Sequence, residues 1–140
     1  MTEPIYPCLW FNNKAEEAAN YYCSIFPNSK ITALTPLVVT FELNGKKFMG
    51  LNGGPSFNFN ESVSFVINCE TQEEIDNYWN KLTKDGQEGP CGWLKDKFGV
   101  SWQVIPSVLQ KLMSDPTRAE RVGKAFMQMK KFDIKKLLEA

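Results

Sequence analysis

The chain of 140 residues contains no histidine. That absence removes Ser-His-Asp and Cys-His catalysis, imidazole general bases and every metal site that needs an imidazole nitrogen. Charge of neither sign is in excess, since 16 Lys and Arg balance 16 Asp and Glu. A nucleic-acid or anionic-membrane surface would call for a basic surplus, so neither partner is expected. No apolar run approaches the roughly 18 residues that cross a bilayer. The opening Met1-Thr2-Glu3-Pro4 lacks the basic and apolar regions of a signal peptide. Cys8, Cys23, Cys69 and Cys91 form no C-x-x-C pair. They are expected as reduced thiols of a cytoplasmic protein, acting mainly as small buried hydrophobes.

What is present is a repeat. Glu16-Glu17-Ala18-Ala19-Asn20-Tyr21-Tyr22 matches Glu73-Glu74-Ile75-Asp76-Asn77-Tyr78-Trp79 at both glutamates, the asparagine and the first tyrosine, and both segments end on an aromatic. Self-similarity of this kind marks a duplicated supersecondary unit. A short apolar run precedes each segment, Ile5 to Phe11 and Val63 to Cys69, and reads as a strand. Ala15, Ala18, Ala19, Tyr22, Cys23 and Phe26 make the apolar stripe of a first helix, with Asn13 as its expected N-cap. Ile75, Tyr78, Trp79 and Leu82 make the stripe of a second. Thr71 and Glu74 have the spacing of a capping box, and Asp85-Gly86 supplies a C-terminal residue able to take positive φ. Strands are expected at Lys30 to Leu34, Leu37 to Leu43 and Lys47 to Asn52, with an Asn44-Gly45 hairpin turn. The second half shows strands only at Glu88 to Leu94 and Val100 to Ile105, its middle strand being poorly marked.

The fold class is therefore α+β: two βαβββ modules, about 1–55 and 61–106, joined by the loop-forming Gly53 to Asn60 and followed by a helical tail, 107–140, all in one domain. Ser107, Asp115-Pro116 and Asp133 mark helix starts in the tail. Its stripe of Ala119, Val122, Phe126 and Met129 must be buried on its own domain or on a second subunit.

Several motifs are familiar together. Pro7-Cys8-Leu9-Trp10-Phe11, Ser24-Ile25-Phe26-Pro27-Asn28-Ser29, Leu51-Asn52-Gly53-Gly54-Pro55, Cys91-Gly92-Trp93-Leu94-Lys95-Asp96, Gly99-Val100-Ser101-Trp102-Gln103-Val104-Ile105-Pro106 and Phe126-Met127-Gln128-Met129-Lys130-Lys131 run along nearly the whole chain. In these the sequence resembles the PhnB-like branch of the glyoxalase/bleomycin-resistance/dioxygenase superfamily, also called vicinal oxygen chelate. The resemblance implies paired modules whose mixed sheets curl around a cleft, usually in a homodimer; the apolar stripes of the tail are expected to supply part of that interface, with Phe126 and Met129 as anchors. It also implies metal-ligand positions near Pro7, Gly50, Ser62 or Ser64, and Gln103. Only Gln103 offers a good oxygen donor there, too few for a metal that wants four to six ligands, so no metal and no other cofactor is expected. The ubiquinone-pathway methyltransferase label of this branch finds no support, because no strand leads into a glycine-rich phosphate turn with an acidic ribose partner.

The expected ligand pocket gathers Cys8, Trp10, Asn52, Ser64, Trp93, Trp102 and Gln103, an apolar cleft with a few hydrogen-bonding groups. Trp93 and Trp102 have core packing as their alternative role. Glu61 and Glu88 flank strands and read as solvated carboxylates, with general base as the alternative. Cys91 lacks the base that a nucleophilic thiol needs. Three functions fit: a metal-free binding protein for a small apolar or planar molecule, a metal-independent enzyme on a small substrate, or an interaction module with a vestigial cleft.

Overall fold

Apolar residues alternate along the strands and recur every third or fourth position along the helices, and in each half that pattern closes one sheet over one long helix. The computed structural model describes residues 2–140. The chain divides into two compact units, one ending at Phe59 and the other beginning at Asn60. The first holds β1 (Cys8–Phe11), α1 (Ala15–Ile25), β2 (Lys30–Leu34), β3 (Val38–Leu43) and β4 (Lys46–Asn52). The second holds β5 (Ser64–Cys69), α2 (Gln72–Thr83), β6 (Gln87–Glu88), β7 (Trp93–Lys95) and β8 (Ser101–Pro106), then α3 (Val108–Met113), α4 (Ala119–Phe126) and α5 (Ile134–Glu139). The strand orders are β1-β4-β3-β2 and β5-β8-β7-β6, the same topology used twice. In each sheet the first strand runs parallel to the last and the others are antiparallel.

The unmarked middle strand is now accounted for. The run expected as one strand from Glu88 to Leu94 is two short ones, with Gln87 opposite Lys95 and Glu88 opposite Leu94. Cys91 and Gly92, both at positive φ, fold the chain between them. A Cβ on Gly92 would meet the Phe132 ring at 2.5 Å and the Val104 carbonyl oxygen at 2.7 Å, so the tail packs directly on this turn. The Cys91 and Gly92 amides donate to the Met129 and Lys130 carbonyls. Gln72 of α2 completes the attachment: its amide NH2 donates to the Phe132 carbonyl and its oxygen accepts from the Ile134 amide. Phe132 is 1% exposed, and Phe126 lies against it with ring centroids 5.9 Å apart. Phe126, the expected subunit anchor, thus packs on Phe132 of its own unit and stays partly exposed.

The helix starts divide. The Thr71–Glu74 capping box is present, and Asp133 caps α5. Asn13 does not cap α1; it sits at positive φ, and Lys14 at the cap position makes no capping hydrogen bond with its side chain. Asp115 accepts from the amide and hydroxyl of Thr117, which tightens a turn before α4 begins at Ala119. Asp85, rather than Gly86, takes the positive φ after α2.

Candidate functional site

In the first unit the buried face of the sheet is settled by Gly50, whose hypothetical Cβ would lie 3.1 Å from Cβ of Ala15 on α1. Leu9, Phe11, Val39, Phe41 and Leu43 share that side and are buried. Strand alternation then places Cys8, Trp10, Val38, Thr40, Met49 and Leu51 on the opposite, open face. Asn52 belongs to the helix side, and its amide is fully engaged. Its oxygen accepts from the Ala15 amide at 2.9 Å, and its NH2 donates to the Pro36 carbonyl at 3.0 Å. It therefore supplies from a strand the N-terminal cap that Asn13 does not, and it stands apart from the Cys8–Trp10 face. Trp10 is held by the joining loop: its indole N–H donates to the Gly54 carbonyl, and its ring meets Phe57 edge-on at 4.9 Å.

In the second unit Glu88 accepts from the Trp79 indole of α2 at 2.8 Å, so Glu88 and its register partners Leu94 and Trp102 face the helix. Trp102 is 4% exposed, and its indole N–H donates to the buried Asp96 carboxylate at 2.8 Å. The other oxygen of Asp96 accepts from the Phe98 and Val100 amides, fixing the β7–β8 turn. Trp102 is thus core. The open face carries the remaining residues of the expected pocket. Gln103 lies between Trp93 on β7 and Val66 on β5, and its NH2 donates to the Ser64 hydroxyl at 2.9 Å. Trp93, Lys95 and Ser101 line a hollow of about 470 Å³ on this face, within the size range of small-molecule sites. Of the seven expected residues, Ser64, Trp93 and Gln103 come together here, and Cys8 and Trp10 share the open face of the first sheet.

Sequence reasoning did not include Lys95 in the site. Its amine reaches the Glu61 carboxylate at 3.1 Å, and that bond holds the Glu61 carboxyl below its ordinary range. Lys95 stands two residues from Trp93, so strand alternation was the available signal. Cys91 is half-buried, its thiol 3.9 Å from the Met127 sulfur. Partial desolvation raises the thiols of Cys8, which is exposed, and of Cys23, and full burial pushes Cys69 up to about 11. A larger hollow, about 880 Å³, lies between α2 and the tail, lined by charged side chains such as Asp76, Lys131 and Glu139 and by no aromatic ring.

Two cofactors can be tested against these residues. A divalent metal does not fit: Gly50 faces α1, and Ser64 and Gln103 are neutral groups bonded to each other. Among the described residues no three His, Cys, Asp or Glu side chains gather to hold an ion. A nucleotide-type methyl donor does not fit either. The turns into α1 and α2, Asn12-Asn13-Lys14 and Glu70-Thr71, have no glycine, and the Glu74 carboxylate already accepts from the Glu70 and Thr71 amides.

The 3-demethylubiquinone-9 3-methyltransferase family model matches residues 3–105. A PhnB protein from Bacillus cereus is 36% identical, with 75% of this chain and 100% of that one covered, at a TM-score of 0.66. A Pseudomonas aeruginosa protein shares the fold at 19% identity, covering 75% of this chain and 98% of its own, at 0.64. So does the fosfomycin resistance protein FosX of Listeria monocytogenes, solved with Mn(II) and sulfate, at 12% identity, 81% and 97% coverage and 0.62. No curated protein matches the chain. With its duplicated βαβββ units, the chain belongs to the 3-demethylubiquinone-9 3-methyltransferase family, the PhnB-like branch of the glyoxalase/bleomycin-resistance/dioxygenase superfamily.

Proposed function

We propose that the protein binds a small planar molecule, without a metal, on the open face of its second sheet. One observation carries this: Gln103, hydrogen-bonded to Ser64, lies in register beside Trp93, which lines the hollow of about 470 Å³. The indole offers a flat apolar wall. With its NH2 held by Ser64, Gln103 keeps its amide oxygen as a positioned acceptor. The donor set supports independence from metal, because one neutral amide oxygen and one hydroxyl make a poor shell for a divalent ion. A thermal-shift screen of planar aromatic compounds tests the reading. A true ligand raises Tm by mass action, and Trp93→Ala or Gln103→Leu abolishes the shift. A ligand whose shift survives both changes would place the site elsewhere.

Self-association is proposed alongside. Leu34, Leu37 and Phe57 in the first unit, and Val63 and Val66 in the second, are each more than half exposed. A lasting two-fold contact burying at least about 1,200 Å² would cover such residues. Light scattering at micromolar concentration should read twice the 16.0 kDa chain mass; a monomer mass refutes the dimer.

A further inference from the structure

The strand register of the second sheet sorts its open face into two rows. Gln87 on β6 lies opposite Lys95 on β7, Lys95 opposite Ser101 on β8, and Ser101 opposite Ser64 on β5. That row is polar across all four strands. The adjoining row is Trp93, Gln103 and Val66. Ser101 is itself 1% exposed, its hydroxyl turned to the Asn60 carbonyl, so a molecule lying across both rows would meet the Gln87 amide and one cation along one edge, and an indole along the other.

Lys95 is the positive centre of this surface. Its side chain is 33% exposed and rises between two neutral residues. Of the two carboxylates lining the hollow, Glu88 is committed to the Trp79 indole on the helix side. Glu61 is different: it sits in the turn before β5, its side chain is 64% exposed, and its carboxylate covers the Lys95 amine at 3.1 Å. An exposed pair of this kind is held weakly, because water solvates both ions well and ordering two long side chains costs entropy. A ligand anion that also stacks on Trp93 gains contacts that Glu61 does not have, so it can take Glu61's place.

We propose that the hollow takes a small organic anion with a planar body, its oxyanion on Lys95 and its plane against Trp93, and that Glu61 is the built-in competitor it displaces. This rests on the small-molecule reading above and adds the ligand's charge and the residue that gates it. Carboxylate, phosphonate and enolate ligands share the chemistry; a neutral planar molecule would leave the Glu61–Lys95 pair closed.

The test titrates the full chain with 2-naphthoate and with neutral 2-naphthamide, following the Trp93 indole N–H by NMR. The Trp102 indole, bonded to Asp96, reports folding in every variant. Lys95→Met should weaken 2-naphthoate by about tenfold or more, with 2-naphthamide unchanged and Lys95→Arg restoring most of the loss. Glu61→Gln should tighten 2-naphthoate severalfold. Equal 2-naphthoate affinity in wild type and Lys95→Met overturns the anion site while leaving planar-ligand binding intact. Weaker 2-naphthoate binding by Glu61→Gln overturns the competitor role. If neither compound shifts the Trp93 indole, the small-molecule reading falls with it.

Discussion

The two units use one topology for different surfaces. Counted from the last residue of each opening strand, Phe11 and Cys69, the row Cys8–Met49–Thr40 of the first sheet corresponds to Val66–Gln103–Trp93 of the second. Met49 thus stands where Gln103 stands, and Thr40 where Trp93 stands. The first open face is mainly apolar and its tryptophan is tied to a loop; the second has a positioned amide, a hydroxyl and a cation. A duplicated fold keeps its helix-facing residues apolar to preserve a core, while its open faces are free to diverge. Asp96 and Asn52 show the same division in polar residues: each is a bolt, one for a turn and one for a helix start.

Mutations can break this comparison in order of cost. Trp102→Ala should destabilise by about 3–5 kcal/mol, since it empties a core position and leaves the buried Asp96 short of a donor. Trp10→Ala, in the half-buried first-unit position, should cost clearly less. Urea melts of the pair decide; equal losses would mean that Trp10 too is core. Next come the turn glycines. Gly92→Ala meets Phe132 as well as an unfavourable φ of 80°, and should cost about 3 kcal/mol. Gly45→Ala, at φ 78° with only the Asn28 side chain nearby at 3.2 Å, should cost about 1 kcal/mol. Asn52→Ala removes a cap and a tie to the β2–β3 turn, and should cost about 1–2 kcal/mol by chemical denaturation.

Most of the architecture was legible because it rests on local signals: helical stripes, the capping box at Thr71, the Asn44-Gly45 turn. What escaped was set by distant partners. Asn52 looked like a pocket residue because a strand's alternation has no sign until the helix is docked, and Gly50 against Ala15 supplies that sign. For Trp102 the sequence left pocket and core open, and its bond to Asp96 decides for the core. The β6–β7 hairpin was hidden because its strands are two and three residues long, below any periodicity, and the Met129–Lys130 backbone supports its turn. The tail's stripe was visible, but not that Gly92 makes room for Phe132.

The smallest effect is one of pH. Burial raises the Cys69 thiol to about 11, with the Glu74 charge adding to it. In the unfolded chain a thiol ionises near its ordinary value, about 8.5. Between those values the unfolded state loses a proton that the native state keeps, so stability declines as pH rises through that window. Iodoacetamide at pH 9 should label exposed Cys8 well before Cys69, which reacts only on unfolding or near pH 11. Simultaneous labelling would show that the second unit's helix face opens as readily as the first unit's open face.

The double hydrogen bond of Asn52 also bears on chemical ageing. Asn-Gly is the dipeptide most prone to deamidate, through attack of the glycine nitrogen on the asparagine side chain. The chain has two such pairs, Asn44-Gly45 and Asn52-Gly53. At the second, both ends of the amide are bonded and the Gly53 nitrogen donates to the Phe11 carbonyl at 3.0 Å, which holds the reacting atoms in place. At the first, the Gly45 nitrogen also donates, to the Asn28 carbonyl at 3.0 Å, so the difference lies in the asparagine side chain, which is exposed on a hairpin tip. Stored native protein should therefore gain its first acidic species on isoelectric focusing from Asn44. Once the chain unfolds Asn52 follows, and a carboxylate left there would meet the Pro36 carbonyl as a second acceptor, so the protein's shelf life and its refolding yield hang on the same side chain.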